Sequence, residues 1–357
     1  MGEREQEKGT RPDARELVRE LEDEGYKRPS LWRQALPWAF TALVLAWIFS
    51  RISFDDFLYY LLNADKKLLV LSLVGFNVVF ALGDLISYGL CYRWYAAPDI
   101  SVVEAMRARW GTFLFHALYT PLSTIANLAY LRRKKGAPVT WSLSANAFTS
   151  VNDLFIINAM VTAALIINHY FPAVPELSSR WFWVIAVPWL VAFGYAVYWF
   201  TPIKNIKRLE PVTKNPILRS CRFSRWYHYL LVQGARFMIA VAGIVAHGLA
   251  LHAFGIQVPF PMLFVIGPLM VGVAFMPVSG GGFGGPQVVA MILLPYAFQE
   301  EALVTAYSMT FSAFFTGGRS VLGAAFLPGF LKDIRSSEPR ISEDPITGEP
   351  VGGPVRK

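Results

Sequence analysis

Apolar segments separated by short polar stretches make up most of the chain. A helix needs roughly 20 apolar residues to cross a bilayer, and most of these segments approach that length. They are residues 36–52, 68–92, 111–131, 141–168, 181–203, 227–253, 260–276, 287–298 and 302–331. Two of them, 260–276 and 287–298, are shorter, and 111–131 is interrupted by Pro121. The pattern predicts an all-α polytopic membrane protein.

The two ends differ from this apolar middle. Residues 1–35 are highly charged, and "PDARELVRELEDEG" has the start, apolar face and stop of a solvated surface helix. Residues 332–357 are polar and rich in Pro and Gly, a composition typical of disorder. We therefore expect a transmembrane domain over 36–331 between two cytoplasmic tails.

Composition supports a membrane location. Hydrophobic residues make up 54% of the 357 residues and charged residues only 16%, against roughly 25% charged in a soluble domain. A net charge of +8 can indicate nucleic-acid binding. Here the basic residues cluster between apolar segments, which is typical of cytoplasmic loops, so we expect no nucleic-acid partner.

The segment 111–131 has basic residues on both sides, in 93–110 and in "RRKK" at 132–135. A single crossing would place one basic flank outside, against the usual bias of such residues towards the cytoplasm. A re-entrant hairpin that enters from the cytoplasm keeps both flanks inside. We expect it to turn near "TPLSTIAN", residues 120–127.

A second hairpin is predicted over 260–298. It contains five glycines between residues 280 and 285, and it is followed by the acidic "QEE". Glycine disfavours helix, and non-helical backbone at membrane depth is tolerated only inside protein or beside a wet cavity. The glycine run is therefore expected to be the tip of a hairpin that enters from outside.

With these two hairpins the loop charges predict six spanning helices and two cytoplasmic termini. "YTPLS" at 119–123 echoes "FMPVS" at 275–279, so the two opposed hairpins suggest an inverted repeat. Such folds bind substrate near the midplane of the bilayer. The last segment, 302–331, contains Gly317-Gly318, and we expect a kink or break there.

These motifs resemble the flippase-like family that includes the transmembrane part of lysylphosphatidylglycerol synthases. Its late Pro-Ile/Val-Ser, glycine-rich motif is matched by "PVSGGGFGG", 277–285. Its earlier Pro-containing segment with basic residues is matched by "TPLSTIANLAYLRRKKG", 120–136, and its acidic helix by Asp153. The resemblance spans roughly residues 40 to 330 and implies movement of a polar-headed lipid between leaflets.

The chain departs from the family pattern at three points. Gln287 stands where the family usually has Glu, and the first hairpin has "PLSTIAN" where an Arg or Lys with Gly is common. Third, we expect no counterpart of the aminoacyl-transferring domain of the synthases, because the only soluble stretches are the tails. We therefore expect no synthase activity and no enzyme.

Four ionisable residues fall inside apolar segments: Asp84, Asp153, Arg236 and Arg319. Charges at this depth are costly and usually face a cavity or a partner, so these residues form either structural ion pairs or a polar cavity. In the second case the arginines would hold a phosphate, to which the planar guanidinium binds in bidentate fashion. Arg319 is preferred because a helix broken at Gly317-Gly318 would add free N–H groups. Asp84 and Asp153 are the candidates for proton coupling.

The full candidate binding set adds residues of both hairpins and their flanks. Its members are Arg107, Arg109, Arg132, Arg133, Ser123, Asn127, Arg236, Ser279, Gly281, Gly282, Gly284, Gln287 and Arg319. The four arginines beside the first hairpin either anchor it at the inner surface or capture an anionic headgroup. The Ser and Asn side chains either bond between helices or line the path. The glycines allow a sharp turn or a close approach.

The function expected from these features is transbilayer movement of a lipid with an anionic, phosphate-bearing headgroup, driven by protons or passive. Two alternatives stay open: a membrane enzyme that uses His116 or His247 beside Asp153 as acid/base, and a small-solute carrier. "GGGFGG" matches GxGxxG but lacks the strand and soluble βαβ unit of a dinucleotide site, so no cofactor is expected. We expect a bacterial cytoplasmic membrane location, and the oligomeric state is left open.

Overall fold

A computed structural model describes residues 31–118, 120–170, 181–274, 282–294 and 300–336 of the chain. Helices account for most of these residues, as the apolar pattern predicts. The longer ones are α1 Leu31–Phe49, α2 Phe54–Asn63, α3 Lys66–Tyr95, α4 Val102–Trp110, α5 Phe113–Leu118, α6 Thr120–Lys135, α7 Val139–Tyr170, α8 Trp181–Phe200, α9 Trp226–Ala253, α10 Phe260–Ala274, α11 Gly285–Leu293 and α12 Glu301–Ser336. Short helical turns between Pro202 and Phe223 connect α8 to α9.

The all-α polytopic fold is confirmed. Among the described helices, α3, α7 and α9 are long and apolar enough to cross a membrane. The helices α1 and α2 meet at a 92° bend and would together make a fourth span. The sequence predicts six spans. By length and composition, the described helices provide three, or four if α1 and α2 form one span. Helix α12 has 36 residues, but many of them are polar or small, as in "TAYSMT" at 305–310.

Two polar stretches between the apolar segments contain helices that the apolar pattern does not predict. Residues 53–67 include α2, whose N-terminus is capped by the Ser53 hydroxyl accepting from the Asp55 N–H. Residues 93–110 include α4, which begins with a capping box formed by Ser101 and Glu104. Such caps satisfy N–H groups that the first helical turn cannot pair.

The helices α3 and α9 approach each other closely at Gly83. A Cβ added to Gly83 would lie 2.6 Å from Ile239 Cγ1 and 3.0 Å from the Ala235 carbonyl oxygen. Small residues let helix backbones approach in this way inside membranes. This contact brings the neighbouring residues Asp84 and Arg236 to the same level of the helix bundle.

The first hairpin is built from α5 and α6, which pack against each other. Helix α5 ends at Leu118 and α6 begins at Thr120, so the change from one helix to the next lies beside "PLSTIAN", which is itself helical. Pro121 stands in the first turn of α6, where its missing N–H leaves no helical bond unmade. Helix α12 reaches the hairpin at Gly323, where an added Cβ would lie 2.6 Å from the Leu114 backbone nitrogen.

The second hairpin consists of α10 and α11, which also pack together. Gly282 and Gly284 have φ values of +85° and +91°, a conformation that favours glycine. Ser279 and Gly281 lie outside the described residues, so their predicted roles stay predictions. Gln287 Oε1 accepts from the Gly284 N–H at 2.7 Å, and this bond closes the turn.

Helix α12 is continuous from Glu301 to Ser336, so the predicted break at Gly317-Gly318 was wrong. Gly318 faces α3, and an added Cβ would lie 2.6 Å from Asn77 Cγ. Gly318 therefore serves helix packing, whereas Gly317 has open space around it. The free N–H groups that the sequence analysis assigned to a broken helix beside Arg319 do not exist.

Candidate functional site

Asp84, in the middle of α3, is the centre of a buried charge cluster. Its side chain is fully buried, and its two oxygens accept from Arg109 Nε at 2.5 Å and from Arg109 Nη2 at 3.1 Å. Arg236 Nη1, from α9, donates to Asp84 Oδ1 at 3.4 Å. Bidentate arginine–carboxylate pairs are among the stronger hydrogen-bonded contacts in proteins. Asp84 therefore fixes the positions of two guanidinium groups.

Arg236 also contacts Asp153 of α7, but loosely. Arg236 Nε lies 3.1 Å from Asp153 Oδ1, yet the N–H does not point at that oxygen, and Nε and Nη2 make no hydrogen bond with any described residue. Arg236 is only 6% exposed, whereas the Asp153 side chain is 39% exposed. Donors left unbonded in a buried place cost free energy. Arg236 thus offers two donor nitrogens, Nε and Nη2, to another acceptor.

Arg319 of α12 lies where the two hairpins come together. Its guanidinium carbon is 4.7 Å from the ring centre of Phe113 and 5.2 Å from that of Phe315, distances at which a cation is attracted to an aromatic face. A small cavity of about 10 Å³ adjoins it, lined by His116 of the first hairpin and Gly282 of the second. The meeting of the two hairpins beside Arg319 agrees with the expected architecture.

Aromatic rings connect the three arginines. Arg109 lies 3.7 Å from the ring centre of Tyr88, and Arg236 lies 5.0 Å from it. Arg109 also lies 5.6 Å from the ring centre of Phe113. Arg319 contacts the same ring. With three guanidinium groups and two carboxylates, the cluster carries a net charge of +1, and its field favours an anion.

A family model described as the transmembrane region of lysylphosphatidylglycerol synthase matches residues 34–317 of the chain. The chain belongs to this family. A search of curated proteins found no match. The match includes both hairpins and every charged residue of the cluster except Arg319, which lies two positions beyond its end. Membership gives this integral membrane protein a lipid-related function, in lipid modification or flipping.

In this family member Arg109 is not the surface anchor that the sequence analysis considered. It ends α4, and its side chain is 13% exposed and paired with Asp84. A surface position was expected for Arg109 because the basic stretch 93–110 flanks the first hairpin. The Ser101-x-x-Glu104 capping box was the signal that this stretch begins a helix, and that helix carries Arg109 into the bundle.

The other basic residues beside the first hairpin are bonded within the protein. Arg107 Nη1 donates to Asp333 Oδ2 at 2.9 Å, and Lys134 Nζ lies 3.5 Å from Asp333 Oδ1. Arg132 Nη1 donates to the Gly136 carbonyl at 3.1 Å, and Arg133 is buried. These contacts join the hairpin to the end of α12, which favours the anchoring interpretation over headgroup capture.

The polar residues predicted to line a path also have structural contacts. Asn127 accepts from Tyr92 Oη at 3.0 Å and donates to the Ala108 carbonyl at 2.8 Å. Ser123 Oγ lies 3.4 Å from His116 Nδ1. Gln287 donates to the Ser308 carbonyl and to Ser312 Oγ, so it joins α11 to α12. Bonding between helices is the interpretation that these contacts favour.

His247, the other acid/base candidate, belongs to aromatic packing between α9 and α12. Its Nδ1 lies 2.6 Å from Tyr307 Oη, and its ring is stacked on Phe311 with centres 3.8 Å apart. The contacts described for Asp153 are to Arg236. The arrangement of a histidine beside Asp153, on which the enzyme alternative depends, finds no support in these contacts.

Proposed function

We propose that this protein moves a lipid with an anionic, phosphate-bearing headgroup from one leaflet of the membrane to the other. Family membership supports a lipid as substrate. The observation that carries the proposal further is Arg236, a buried guanidinium with two nitrogens that bond no described residue, in a cluster of net charge +1. Arginine stays charged in such a place and suits the geometry of phosphate.

A polar stripe along α7 supports a route to Arg236. Asn146, Ser150 and Asp153 follow each other at spacings of four and three residues, which places them on one face of the helix. Ser150 is exposed. Asp153 is the fifteenth of 32 residues, about 21 Å from the helix start at 1.5 Å per residue. A half-exposed carboxylate in the middle of an apolar span faces a polar opening rather than lipid tails.

Arg236 and Arg319 would take different parts in this movement. In this proposal a headgroup reaches Arg236 from the exposed side of Asp153, whereas Arg319 adjoins a cavity of only about 10 Å³ between the hairpins. Small-ligand sites generally hold at least about 300 Å³, so a headgroup at Arg319 requires the hairpins to separate. We infer that the headgroup first meets Arg236 and that hairpin opening gives it access to Arg319.

The two proton-coupling candidates also differ. Asp84 is fully buried and held by Arg109 and Arg236, which suits a positioning role. Asp153 is reachable from the opening and has the looser contact, so it is the stronger candidate for coupling. In this proposal the protein is a translocase, not an enzyme, of the bacterial cytoplasmic membrane, with both termini in the cytoplasm.

The test is lipid movement in reconstituted liposomes. Fluorescent phosphatidylglycerol is added, and the fraction that an impermeant quencher can reach is followed with time. Arg236→Gln should reduce the rate by about tenfold or more, since bonds to charged groups contribute about 1.5–3 kcal/mol, and Arg236→Lys should be intermediate. The control is Arg208→Gln, at an exposed position in the α8–α9 connection.

Full transport by a folded Arg236→Gln protein would overturn the proposal. The same liposomes test the two alternatives. Mass spectrometry should find the phosphatidylglycerol chemically unchanged, because an altered headgroup would indicate an enzyme. Uptake of small polar solutes in place of lipid movement would indicate a carrier.

A further inference from the structure

The two carboxylates of the cluster contact the arginines in different ways. Asp84 fills the whole side edge of Arg109, formed by Nε and Nη2, with one oxygen on each nitrogen. The same edge of Arg236 is unfilled. Asp153 Oδ1 lies 3.1 Å from Arg236 Nε without alignment, and Nη2 bonds no described residue. The Nε–Nη2 edge of Arg109 is therefore hydrogen-bonded to a carboxylate, whereas that of Arg236 has a carboxylate nearby without a hydrogen bond to it.

We propose that Asp153 is a displaceable counter-ion, which neutralises Arg236 in the empty site and gives way to the phosphate of the substrate. This inference rests on the proposed function and adds to it how the site is regulated. A buried guanidinium at membrane depth needs a nearby negative charge, and Asp84 is shared with Arg109. Asp153 supplies that charge without occupying the hydrogen-bonding edge.

Exchange of Asp153 for a phosphate is geometrically reasonable. A phosphate presents two oxygens that match the Nε–Nη2 edge, as a carboxylate does, and the Arg109–Asp84 pair shows this geometry within the same cluster. Asp153 is 39% exposed at the side chain, so its carboxylate can turn towards the opening when it leaves Arg236. The net charge near Arg236 then stays nearly constant during the exchange.

The exchange predicts opposite effects on binding and on transport. Without the competing carboxylate, Asp153→Asn should bind the phosphate-bearing headgroup about fivefold more tightly, the equivalent of a partly exposed ion pair. Release should slow because no internal anion displaces the headgroup, so transport at saturating lipid should fall. Asp153→Glu can reach the open edge and should weaken binding. A merely structural Asp153 would lower binding and transport together in both variants.

The experiment uses the full-length protein in detergent and titrates short-chain phosphatidylglycerol by calorimetry. Inorganic phosphate in a second arm tells a lipid headgroup from a free anion, and short-chain diacylglycerol is the neutral control. Asp99→Asn is the matched control, because Asp99 is an exposed carboxylate paired with Lys135 at 3.0 Å outside the cluster. Tighter binding in Asp153→Asn that disappears on adding Arg236→Gln is the expected result.

Failure of this inference can be separated from failure of the proposed function. If wild-type binding requires Arg236 but a folded Asp153→Asn binds no more tightly, the counter-ion role is overturned and the headgroup site stands. If the wild type does not bind phosphatidylglycerol, or binds equally well after Arg236→Gln, the proposed headgroup site is itself wrong. If Asp153→Asn does not fold, tighter or unchanged binding by Asp153→Glu overturns the inference.

Discussion

Replacing Asp84 by Asn should strongly destabilise the protein. Asp84 is fully buried, accepts two hydrogen bonds from Arg109 and contacts Arg236 at 3.4 Å. Its neutralisation would raise the net charge of the cluster from +1 to +2, with only Asp153 left to compensate three guanidinium groups. Removing one partner of a buried pair costs about 3–5 kcal/mol, because the remaining charge stays in a medium that cannot solvate it.

The same change at Asp153 should have a small effect. Its single contact is not aligned as a hydrogen bond and its side chain is 39% exposed, and such pairs contribute at most about 1 kcal/mol. The free energy of unfolding, measured reversibly in mixed micelles, should therefore separate the two aspartates by at least about 2 kcal/mol, the difference between these two ranges. Asp99→Asn serves as the surface control.

A double-mutant cycle identifies the cause of the loss. Arg109→Gln combined with Asp84→Asn removes the unpaired charge together with its partner, so the double variant should be more stable than the sum of the two single losses implies. Residues in one ion-pair network show interaction energies of about 0.5–3 kcal/mol. A loss below about 1 kcal/mol for Asp84→Asn, or strict additivity in the cycle, would refute the assignment of Asp84 as the anchor of the cluster.

Three further outcomes are expected. Gly83→Ala should reduce the free energy of unfolding by about 1–3 kcal/mol through overpacking against α9, whereas Gly75→Ala on the same helix, with open space around it, should be neutral or slightly stabilising. Gly284→Ala should slow lipid movement in liposomes, because φ is +91° there and the added Cβ would lie 3.0 Å from Thr41 Oγ1. In intact cells an impermeant thiol reagent should label a cysteine at Glu300 and spare one at Lys134; labelling at Lys134 would contradict the cytoplasmic hairpin.

Much of the helical architecture could be predicted from the sequence, since the apolar segments are long and lipid leaves the backbone few alternatives to a helix. The two short helices α2 and α4 were missed because they lie in polar stretches between apolar segments. Their N-terminal capping residues, Ser53 and the Ser101–Glu104 capping box, could have been recognised in the sequence. The break at Gly317-Gly318 was expected from propensity, but packing against Asn77 gives a glycine there another purpose.

The sequence indicated which charged residues belong to the site, but it did not indicate which of them contact each other. Costly charges inside apolar segments pointed to Asp84, Asp153, Arg236 and Arg319. Which acid meets which base depends on how far the helices slide along each other, and contacts such as that at Gly83 set this register. The spacing of residues along the sequence does not determine this register. For the same reason, the two nitrogens of Arg236 that make no hydrogen bond with a described residue could not be predicted from the sequence.

The charged and aromatic residues of the cluster lie in a fixed order from α9 to α12, and this order affects how a headgroup could pass them. From α9 to α12, guanidinium groups alternate with aromatic rings in the order Arg236, Tyr88, Arg109, Phe113 and Arg319. Asp84 bonds the first two arginines of this row, and the third, Arg319, adjoins the cavity where the hairpins meet. In the proposed function, a headgroup that replaces Asp153 at Arg236 would enter that cavity only after the hairpins separate, because the cavity's volume of about 10 Å³ is far below the roughly 300 Å³ of small-ligand sites. The energetic barrier to crossing would then lie in separating the hairpins.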